Sequence, residues 1–520
     1  MIYQVYPRSF ADSNGDGVGD LEGIRQRLDH LAWLGVDGVW ISPFFPSPMK
    51  DFGYDVADYC DVDPIFGTLA DFDRLLCDAH ARGIRVILDF VPNHSSDQHR
   101  WFQESRSSRT NAKRDWYVWR DPAPGGGPPN NWVAVFGGSA WQWDASTGQY
   151  YLHSFLKEQP DLDWRNAELE RAMHGVLRFW LDRGVDGFRI DVAHRLAKDP
   201  ALRSNPLVAG TTDAGYGGQQ HVHDEDHPDV HALYKRMRAL TNAYDERVLI
   251  GEVYLFDPER VAKYYGDGDQ LHQGFNFSLL SGEWSGERFA REVERFQAAV
   301  PPQGWPNQVL SNHDVHRHAT RYDHPELGEA RARLAAMFLI ALRGTPFLYY
   351  GEELGMRCVW IPEHRLRDPL AFTLHPSLTR DPERTPMQWD ASKFAGFSSA
   401  EPWLPIHDDF ERRNVAAQRA DESSLLHLYR ALIALRAAHP ALARGEQRTL
   451  PAARDVFAFE RALGSERFVV ALNFGDAPVS VSLGAGAPRA GLHSRYGAEL
   501  PRDLAQVELG AAEGVVLRLA

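Results

Sequence analysis

Apolar residues in this chain gather into short runs that end in polar or glycine-rich stretches. Eight such runs, at 2–6, 36–42, 85–91, 187–191, 248–253, 274–280, 308–313 and 347–351, have the continuity of strands buried on both faces. Most are followed by segments whose apolar positions recur every three to four residues, notably 21–34, 69–82, 167–183 and 330–342. That spacing belongs to helices covering a core with one face. Strand-type and helix-type segments in alternation predict βαβ units with parallel pairing, and eight units predict an α/β protein built as a closed (β/α)8 TIM barrel. Such a barrel places its chemistry at the carboxyl ends of the strands.

About 95 residues separate the third run from the fourth, and the stretch 122–143 is rich in Gly, Pro, Trp and Asn. A structureless loop of that length is uncommon. The expectation is a subdomain inserted after strand 3, over 94–158, dividing the barrel into 1–93 and 159–444. After Pro440 the texture changes to short alternating segments at 456–460, 468–473, 479–483 and 514–519, which predict a C-terminal antiparallel β-sandwich domain over 445–520.

Composition narrows the partners. Lys and Arg number 56 against 71 Asp and Glu, a formal net charge of −15, which argues against nucleic acid and anionic membranes. The 15 Trp, 18 Tyr and 27 Phe form an aromatic excess that needs a use. Cys60, Cys77 and Cys358 make no CxxC pair or disulfide framework, the N-terminus lacks a secretory pattern, and the apolar run at 334–342 is far short of a membrane span. A soluble, cytoplasmic protein is expected. Met1 lies almost at the start of the first strand.

The first strand leads into Asp12-Ser13-Asn14-Gly15-Asp16-Gly17-Val18-Gly19-Asp20. Oxygen ligands at Asp12, Asn14 and Asp16, the Val18 carbonyl and Asp20, with Gly17 at the turn, follow the first two-thirds of a calcium loop, without its closing Glu. A structural Ca2+ or Mg2+ is expected there. Other strand ends carry carboxylates: Asp89 in the third, Asp191 after Arg189 in the fourth, Glu252 in the fifth and Asp314 in the seventh. Carboxylates after apolar strands are costly to bury unless paired or used. The chain has no Cys/His zinc cluster, no G-x-S-x-G elbow and no phosphate-binding glycine loop, so no organic cofactor is expected. Paired carboxylates with abundant aromatics suit glycoside cleavage, in which one group protonates the leaving oxygen and another attacks or stabilises the anomeric carbon.

These segments resemble the α-amylase superfamily, glycoside hydrolase family 13, and within it the α-glucosidase and oligo-1,6-glucosidase branch. The likeness spans the chain: Val5-Tyr6-Pro7-Arg8-Ser9-Phe10, Asp51-Phe52-Gly53-Tyr54-Asp55-Val56, Asp89-Phe90-Val91-Pro92-Asn93-His94, Gln159-Pro160-Asp161-Leu162, Gly187-Phe188-Arg189-Ile190-Asp191, Gly251-Glu252-Val253, Asn312-His313-Asp314 and Arg384-Thr385-Pro386-Met387-Gln388-Trp389. The resemblance implies Asp191 as nucleophile beside Arg189, Glu252 as general acid and base with a raised pKa, and Asp314 as stabiliser of the transition state. It implies a pocket for a terminal glucose in which Asp51 and Arg384 together bind the non-reducing-end hydroxyls and close the pocket, His94 and His313 hydrogen-bond the sugar, Tyr54, Phe136 and Phe155 form apolar walls, and Arg189 counts among the groups that bind substrate. Asp89 and Asn93 are expected to support loop geometry.

The implied function is a retaining, exo-acting α-glucosidase on short maltose- or isomaltose-type substrates, with transglucosylation open, acting as a monomer or homodimer. Val192, after the implied nucleophile, accompanies α-1,6 specificity in this branch, but Ala193-His194-Arg195 departs from its usual pattern, so linkage stays open. A glucosyltransferase or isomerase of the trehalose synthase or sucrose isomerase type is the alternative; a non-catalytic barrel subunit is the alternative of another class. The cluster His221, His223, His227 and His231, interspersed with acids, reads as a solvated rim near the substrate entrance rather than a metal site.

Overall fold

The computed structural model describes residues 1–212 and 215–519. Its centre is an eight-stranded parallel sheet: β1 (Ile2–Val5), β2 (Gly38–Ile41), β3 (Arg85–Phe90), β4 (Gly187–Ile190), β5 (Val248–Gly251), β6 (Gln273–Gly274), β7 (Asn307–Val309) and β8 (Thr345–Tyr349). The strand order is β7-β8-β1-β2-β3-β4-β5-β6. Backbone pairing therefore leaves one joint, between β6 and β7. Buried amides cross it: Asn276 N–H donates to Asn307 Oδ1 at 3.0 Å, Asn276 Nδ2 to Gln308 Oε1 at 3.2 Å, and Gln273 Nε2 reaches Thr345 Oγ1 at 2.9 Å.

The expected sixth strand, 274–280, shrinks to two residues. Asn276 Oδ1 accepts from Ser278 Oγ at 2.6 Å and from Ser278 N at 3.3 Å, and Phe277–Leu279 turn into a 3-10 helix. A short side chain bonding its own backbone competes with the ladder. The helix expected over 21–34 is likewise two, Leu21–Gln26 and Leu28–Leu34. Arg27 leaves helical geometry between them, with its guanidinium 4.3 Å from the Trp389 ring and Nη2 donating to Gly396 O at 3.2 Å.

Other helices follow their sequence signals. Leu69–Ala81 begins at a Thr68–Asp71 capping box and buries Phe72, Leu75, Leu76 and Ala79 on one face. Ala167–Asp182 begins at Asn166, whose side chain accepts from Glu168 N and Leu169 N.

Alternation along the strands builds the barrel interior in layers. Trp40, Ile87, Ile250, Val309 and Phe347, with Phe275, form a buried apolar cluster. Two residues later on the same chain paths come Ser42, Asp89, Glu252, Ser311 and Tyr349, all buried. The polar layer thus sits on an apolar one, at the end where function is expected.

Between β3 and β4 the chain forms helix Arg100–Ser107 and a three-stranded antiparallel sheet ordered Trp119–Arg120, Gln149–Leu152, Trp141–Asp144. A small core including Val118, Trp132, Trp141 and Leu152 holds it. The Lys198 ammonium, 2.7 Å from Asn93 Oδ1 and 2.7 Å from Asp161 Oδ2, joins the end of β3 to the chain returning from this segment and to the loop after β4.

The C-terminal region is a five-stranded antiparallel sheet, ordered Glu446–Leu450, Val456–Leu463, Glu466–Asn473, Gly514–Leu519, Pro488–His493, with a separate pair Val479–Val481 and Val507–Leu509. Three of these strands were not expected: Glu446–Leu450 and Pro488–His493 are polar or half-exposed along most of their length, and Val507–Leu509 has three residues. Ala520, the last residue of the expected domain, lies outside the described residues.

Lys198 and Asp161 are 7% and 0% exposed, so each charge depends on the other. Lys198→Met is expected to destabilise the protein by about 3–5 kcal/mol by stranding the buried carboxylate. Scanning calorimetry checks this, and a thermal midpoint equal to the parent's would refute it.

Candidate active site

Asp89 and Arg189 are register partners on β3 and β4. Arg189 Nη1 lies 2.8 Å from Asp89 Oδ1 and 2.7 Å from Asp191 Oδ1, while Nη2 lies 2.8 Å from Glu252 Oε2. One guanidinium, 2% exposed, thereby fixes carboxylates from three strands. Its Cζ lies over the Trp40 ring, 5.0 Å from the centroid.

The backbone after Asp191 adds a further restraint. Val192 adopts φ 36° and ψ 49°, a left-handed conformation that a β-branched side chain disfavours. In that conformation its N–H donates to Glu252 Oε2 at 3.0 Å, and Ala193 N–H donates to Glu252 O at 2.9 Å. Strain of this kind persists where surrounding bonds over-determine it.

A relay of aligned side chains supports the opposite wall. His313 Nδ1 is 2.8 Å from Gln4 Nε2, and its Nε2 is 2.7 Å from the Tyr54 hydroxyl. The Tyr54 hydroxyl donates to Asp89 Oδ2 at 3.2 Å, and Trp40 Nε1 donates to the same oxygen at 3.1 Å. Because the Gln4 amide donates to Nδ1, the imidazole proton belongs on Nε2. Burial lowers the His313 pKa to about 3 and that of His94 to about 4, so both rings are neutral near pH 7.

Arg380 is a cavity residue that sequence reasoning missed. Its Nη2 lies 2.8 Å from Asp51 Oδ1, its Nη1 3.0 Å from Asp314 Oδ1, and Asp368 holds it from behind at 2.7 Å. Of the two residues expected to bind the non-reducing-end hydroxyls together, Asp51 lies against Arg380, whereas Arg384 contacts Asp314 Oδ1 at 3.0 Å and donates to His313 O at 2.7 Å. The two arginines are four residues apart in the chain, and the motif directed attention to the second.

These groups enclose a cavity of about 500 Å³, within the range of small-ligand sites. Asp51, Tyr54, His94, Phe136, Phe155, Asp191, Val192, Glu252, His313 and Asp314 all line it. Arg189 and Arg384, expected to touch substrate, stand behind the carboxylates and are not on the cavity wall. Asp89 and Asn93 are also behind it, as supports. His221 lines the cavity, but the expected solvated rim is only partly so: its side chain is 10% exposed and pairs with Asp224 at 2.8 Å. Among the described residues no group of three His, Cys, Asp or Glu is arranged to hold a metal ion.

The carboxylates differ electrostatically. Burial raises the Asp191 pKa well above the usual range; Arg189 opposes this, and neighbouring Glu252 and Asp89 add to it. Burial pushes Asp89 up to about 6, again against Arg189. Arg189 thus favours the charged forms of Asp89 and Asp191, while burial and their mutual repulsion disfavour them. Asp191, expected to stay ionised, has Arg189 favouring that charge while burial and its acidic neighbours work against it. Asp314 is the reverse case: burial disfavours its charge, but His313, Arg380, Arg384 and Arg189 outweigh burial and hold its carboxyl well below the usual range.

The loop 12–20 is wound by its own side chains. Asp12 Oδ1 accepts from Asn14 N at 3.0 Å and Gly15 N at 2.7 Å, Asn14 Oδ1 from Asp16 N at 2.9 Å, and Asp16 Oδ1 from Val18 N at 2.8 Å. Gly17, at φ 88°, could carry no side chain, since a Cβ would meet Glu401 O at 2.3 Å. Asp20 caps the following helix, accepting from Gly23 N at 2.6 Å. The donor set is all oxygen, the type Ca2+ takes, although Asp12 and Asp20 already hold protein donors.

Comparison with known proteins adds the lineage. Residues 4–445 match the family model described as "Alpha amylase, catalytic domain". The chain belongs to the α-amylase family. Among its α-amylase-family relatives, a "Probable alpha-glucosidase" of Rhizobium meliloti (strain 1021) is 46% identical over 494 residues, covering 92% of this chain and 89% of the relative. An "Oligo-1,6-glucosidase" of Heyndrickxia coagulans is 39% identical, with 92% of each chain covered. The crystal structure of the alpha-glucosyl transfer enzyme XgtA superposes with a TM-score of 0.95 at 42% identity, covering 100% of this chain and 98% of that one. An α-amylase-family glycoside hydrolase is thus the frame in which the cluster around Arg189 is to be understood.

Neutralising one carboxylate of that cluster has a signed consequence. Asp89→Asn removes a neighbour that raises Asp191 and leaves more of Arg189 to Asp191, so the acid limb of kcat/KM is expected to move to lower pH. In the parent that limb lies above the ordinary carboxylate value of about 4. The pH profile of the pair is the measurement; a limb that stays or rises would be inconsistent with Asp89 raising Asp191.

Proposed function

We propose that this protein is a retaining, exo-acting α-glucosidase that releases glucose from the non-reducing end of short α-glucosides. The observation that carries the reading is the pair Asp191 and Glu252, held on two nitrogens of one buried guanidinium and facing a cavity bounded by the Asp51–Arg380–Asp314 ion-pair group. In the first step Asp191 attacks the anomeric carbon while Glu252 gives its proton to the glycosidic oxygen, and the alcohol leaves. In the second, Glu252 takes a proton from water, water attacks the same carbon, and Asp191 is released. One water is consumed and the α configuration is kept. Double displacement needs the carboxyls about 5–5.5 Å apart, and a shared guanidinium supports such close spacing.

The other groups divide the remaining work. Ionised Asp314, among Arg380 and Arg384, suits a group that holds sugar hydroxyls and faces developing positive charge at the ring. Neutral His94 and His313 offer hydrogen bonds without adding repulsion to that charge. Tyr54, Phe136 and Phe155 supply apolar walls. Val192, on the cavity wall beside Asp191, is the position at which linkage preference is read.

Glucosyl transfer is the second reading, favoured by the 42% identity with the alpha-glucosyl transfer enzyme XgtA. It uses the same glucosyl-Asp191 intermediate with an alcohol in place of water. The retained carboxylates speak against a non-catalytic barrel. A cytoplasmic location, in keeping with the free thiols of Cys60, Cys77 and Cys358, and a monomer or homodimer complete the reading. A structural Ca2+ or Mg2+ would be held by Asp12, Asn14, Asp16, the Val18 carbonyl and Asp20, fixing the loop after β1 without entering the reaction; the oxygen-only donor set supports it.

Two experiments test this. Asp191→Asn is expected to lower kcat on p-nitrophenyl α-glucoside by at least about 10³-fold, with proton NMR of the parent's first product showing α-glucose; surviving activity or β-glucose would refute the assignment. EDTA is expected to lower the thermal midpoint and added Ca2+ to restore it. An unchanged midpoint removes the metal from the reading.

A further inference from the structure

Arg8 is a cation that the chemistry above does not use. It sits on the short helix Pro7–Phe10 after β1, is 8% exposed, and forms no salt bridge among the described residues; its Nε is buried without a hydrogen-bond partner. Three rings surround the guanidinium instead: Cζ lies 5.2 Å from the Trp403 centroid, 5.4 Å from that of Phe52 and 5.7 Å from that of Phe66. Burying a cation without an anion is costly, and aromatic faces replace its water only in part. That cost calls for a use among the caged rings.

Phe52 links the cage to the cavity. Its chain neighbours Asp51 and Tyr54 line the cavity, whereas neither Phe52 nor Arg8 does. The turn that presents them is strained: Met49, Phe52 and Gly53 have φ of 58°, 47° and 107°. The left-handed region disfavours a side chain as bulky as that of Phe52. A Cβ on Gly53 would meet Pro43 O at 2.9 Å. Asp55 braces the backbone of this turn, its carboxylate accepting from Lys50 N at 2.8 Å and Asp51 N at 2.9 Å. The Phe52 ring is held separately, with Arg8 over it and its centroid 5.3 Å from that of Trp403. Trp403 is itself fixed, its Nε1–H donating to Ser9 Oγ at 2.9 Å and its backbone N–H to Gly17 O at 3.0 Å. Strain of this kind persists where the surroundings over-determine it, and the cage supplies the restraint that Asp55 does not.

We propose that Arg8 is a positioning residue for sugar recognition: by holding Phe52 against Trp403 it keeps the strained turn that aims Asp51 at the terminal hydroxyls of the substrate. The proposal rests on the glucosidase reading of the cavity. Arg8 touches no substrate; it acts through Asp51, whose Oδ1 lies 2.8 Å from Arg380. If the turn relaxes, Asp51 moves off Arg380 and the hydroxyls lose an acceptor set in place before they arrive. Lysine could not take the part of Arg8, because a compact, strongly hydrated ammonium does not lie on rings as a planar guanidinium does.

A double-mutant cycle tests this. Arg8→Met keeps an unbranched side chain inside the cage without the charge. Its kcat/KM for p-nitrophenyl α-glucoside is expected to fall about 10- to 100-fold, mainly through KM, with affinity for the glucose-sized iminosugar 1-deoxynojirimycin falling alongside. Arg8→Lys is expected to fall nearly as far. In an Asp51→Ala background, adding Arg8→Met is expected to change both quantities by less than about twofold, because the residue it acts through is gone. Losses that multiply in the double variant overturn the proposal, as they would mark a general structural role. An unchanged KM in Arg8→Met overturns it too. Phe52→Leu removes the ring that Arg8 holds and is expected to reproduce both the rise in KM and its disappearance beside Asp51→Ala, so the proposal stays falsifiable if Arg8→Met does not fold. A parent protein inert toward the glucoside overturns the glycosidase reading itself, and this proposal with it.

Discussion

Every functional carboxylate near β3, β4 and β5 depends on one cation. The Arg189 guanidinium is buried, over the Trp40 ring, and shared among Asp89, Asp191 and Glu252. Its planar fork matches a task that an ammonium could not perform, because two carboxylates must be held apart yet at one fixed distance. The charge balance is deliberately short by comparison with a structural salt bridge: three acids and one base. That deficit leaves the carboxylates competing for one cation, so burial and mutual repulsion raise the pKa values of Asp89 and Asp191.

The fold was largely legible because each barrel strand announces itself twice, as an apolar run and as a polar residue where the run stops. Ile87 followed by Asp89, and Ile250 followed by Glu252, show both the alternation and the place where the interior turns from packing to chemistry. The catalytic candidates were legible for the same reason, aided by the family likeness. What escaped had no such local mark. Arg380 lies in an irregular stretch between short 3-10 turns, and only the folded chain brings it to Asp51, more than three hundred residues away. Arg195, Tyr216 and Glu225, also on the cavity wall, come from the long loop after β4, where periodicity is silent and charged residues ordinarily face water. The polar C-terminal strands Glu446–Leu450 and Pro488–His493 escaped because strand patterning needs a buried face to be visible.

Distant segments meet at this site through a few buried polar joints rather than through continuous secondary structure. Lys198 ties β3 to the inserted sheet's return and to the loop after β4, and amides of Gln273, Asn276, Asn307 and Gln308 bridge the joint that backbone pairing leaves open. Such joints are specific in a way that apolar packing is not, since a wrong register leaves a buried donor unmatched. They tie the cavity's shape to the register of the barrel.

Val192 shows what such precision implies for the protein's history. Its left-handed backbone aims an amide at Glu252 while its branched side chain faces the cavity. Glycine or asparagine would rest more easily in that geometry, by roughly 1–2 kcal/mol. The position therefore sets two selective pressures against each other, one on the folding equilibrium and one on what the cavity admits. A substitution that relieved the backbone there would also strip the side chain from the cavity wall beside Asp191.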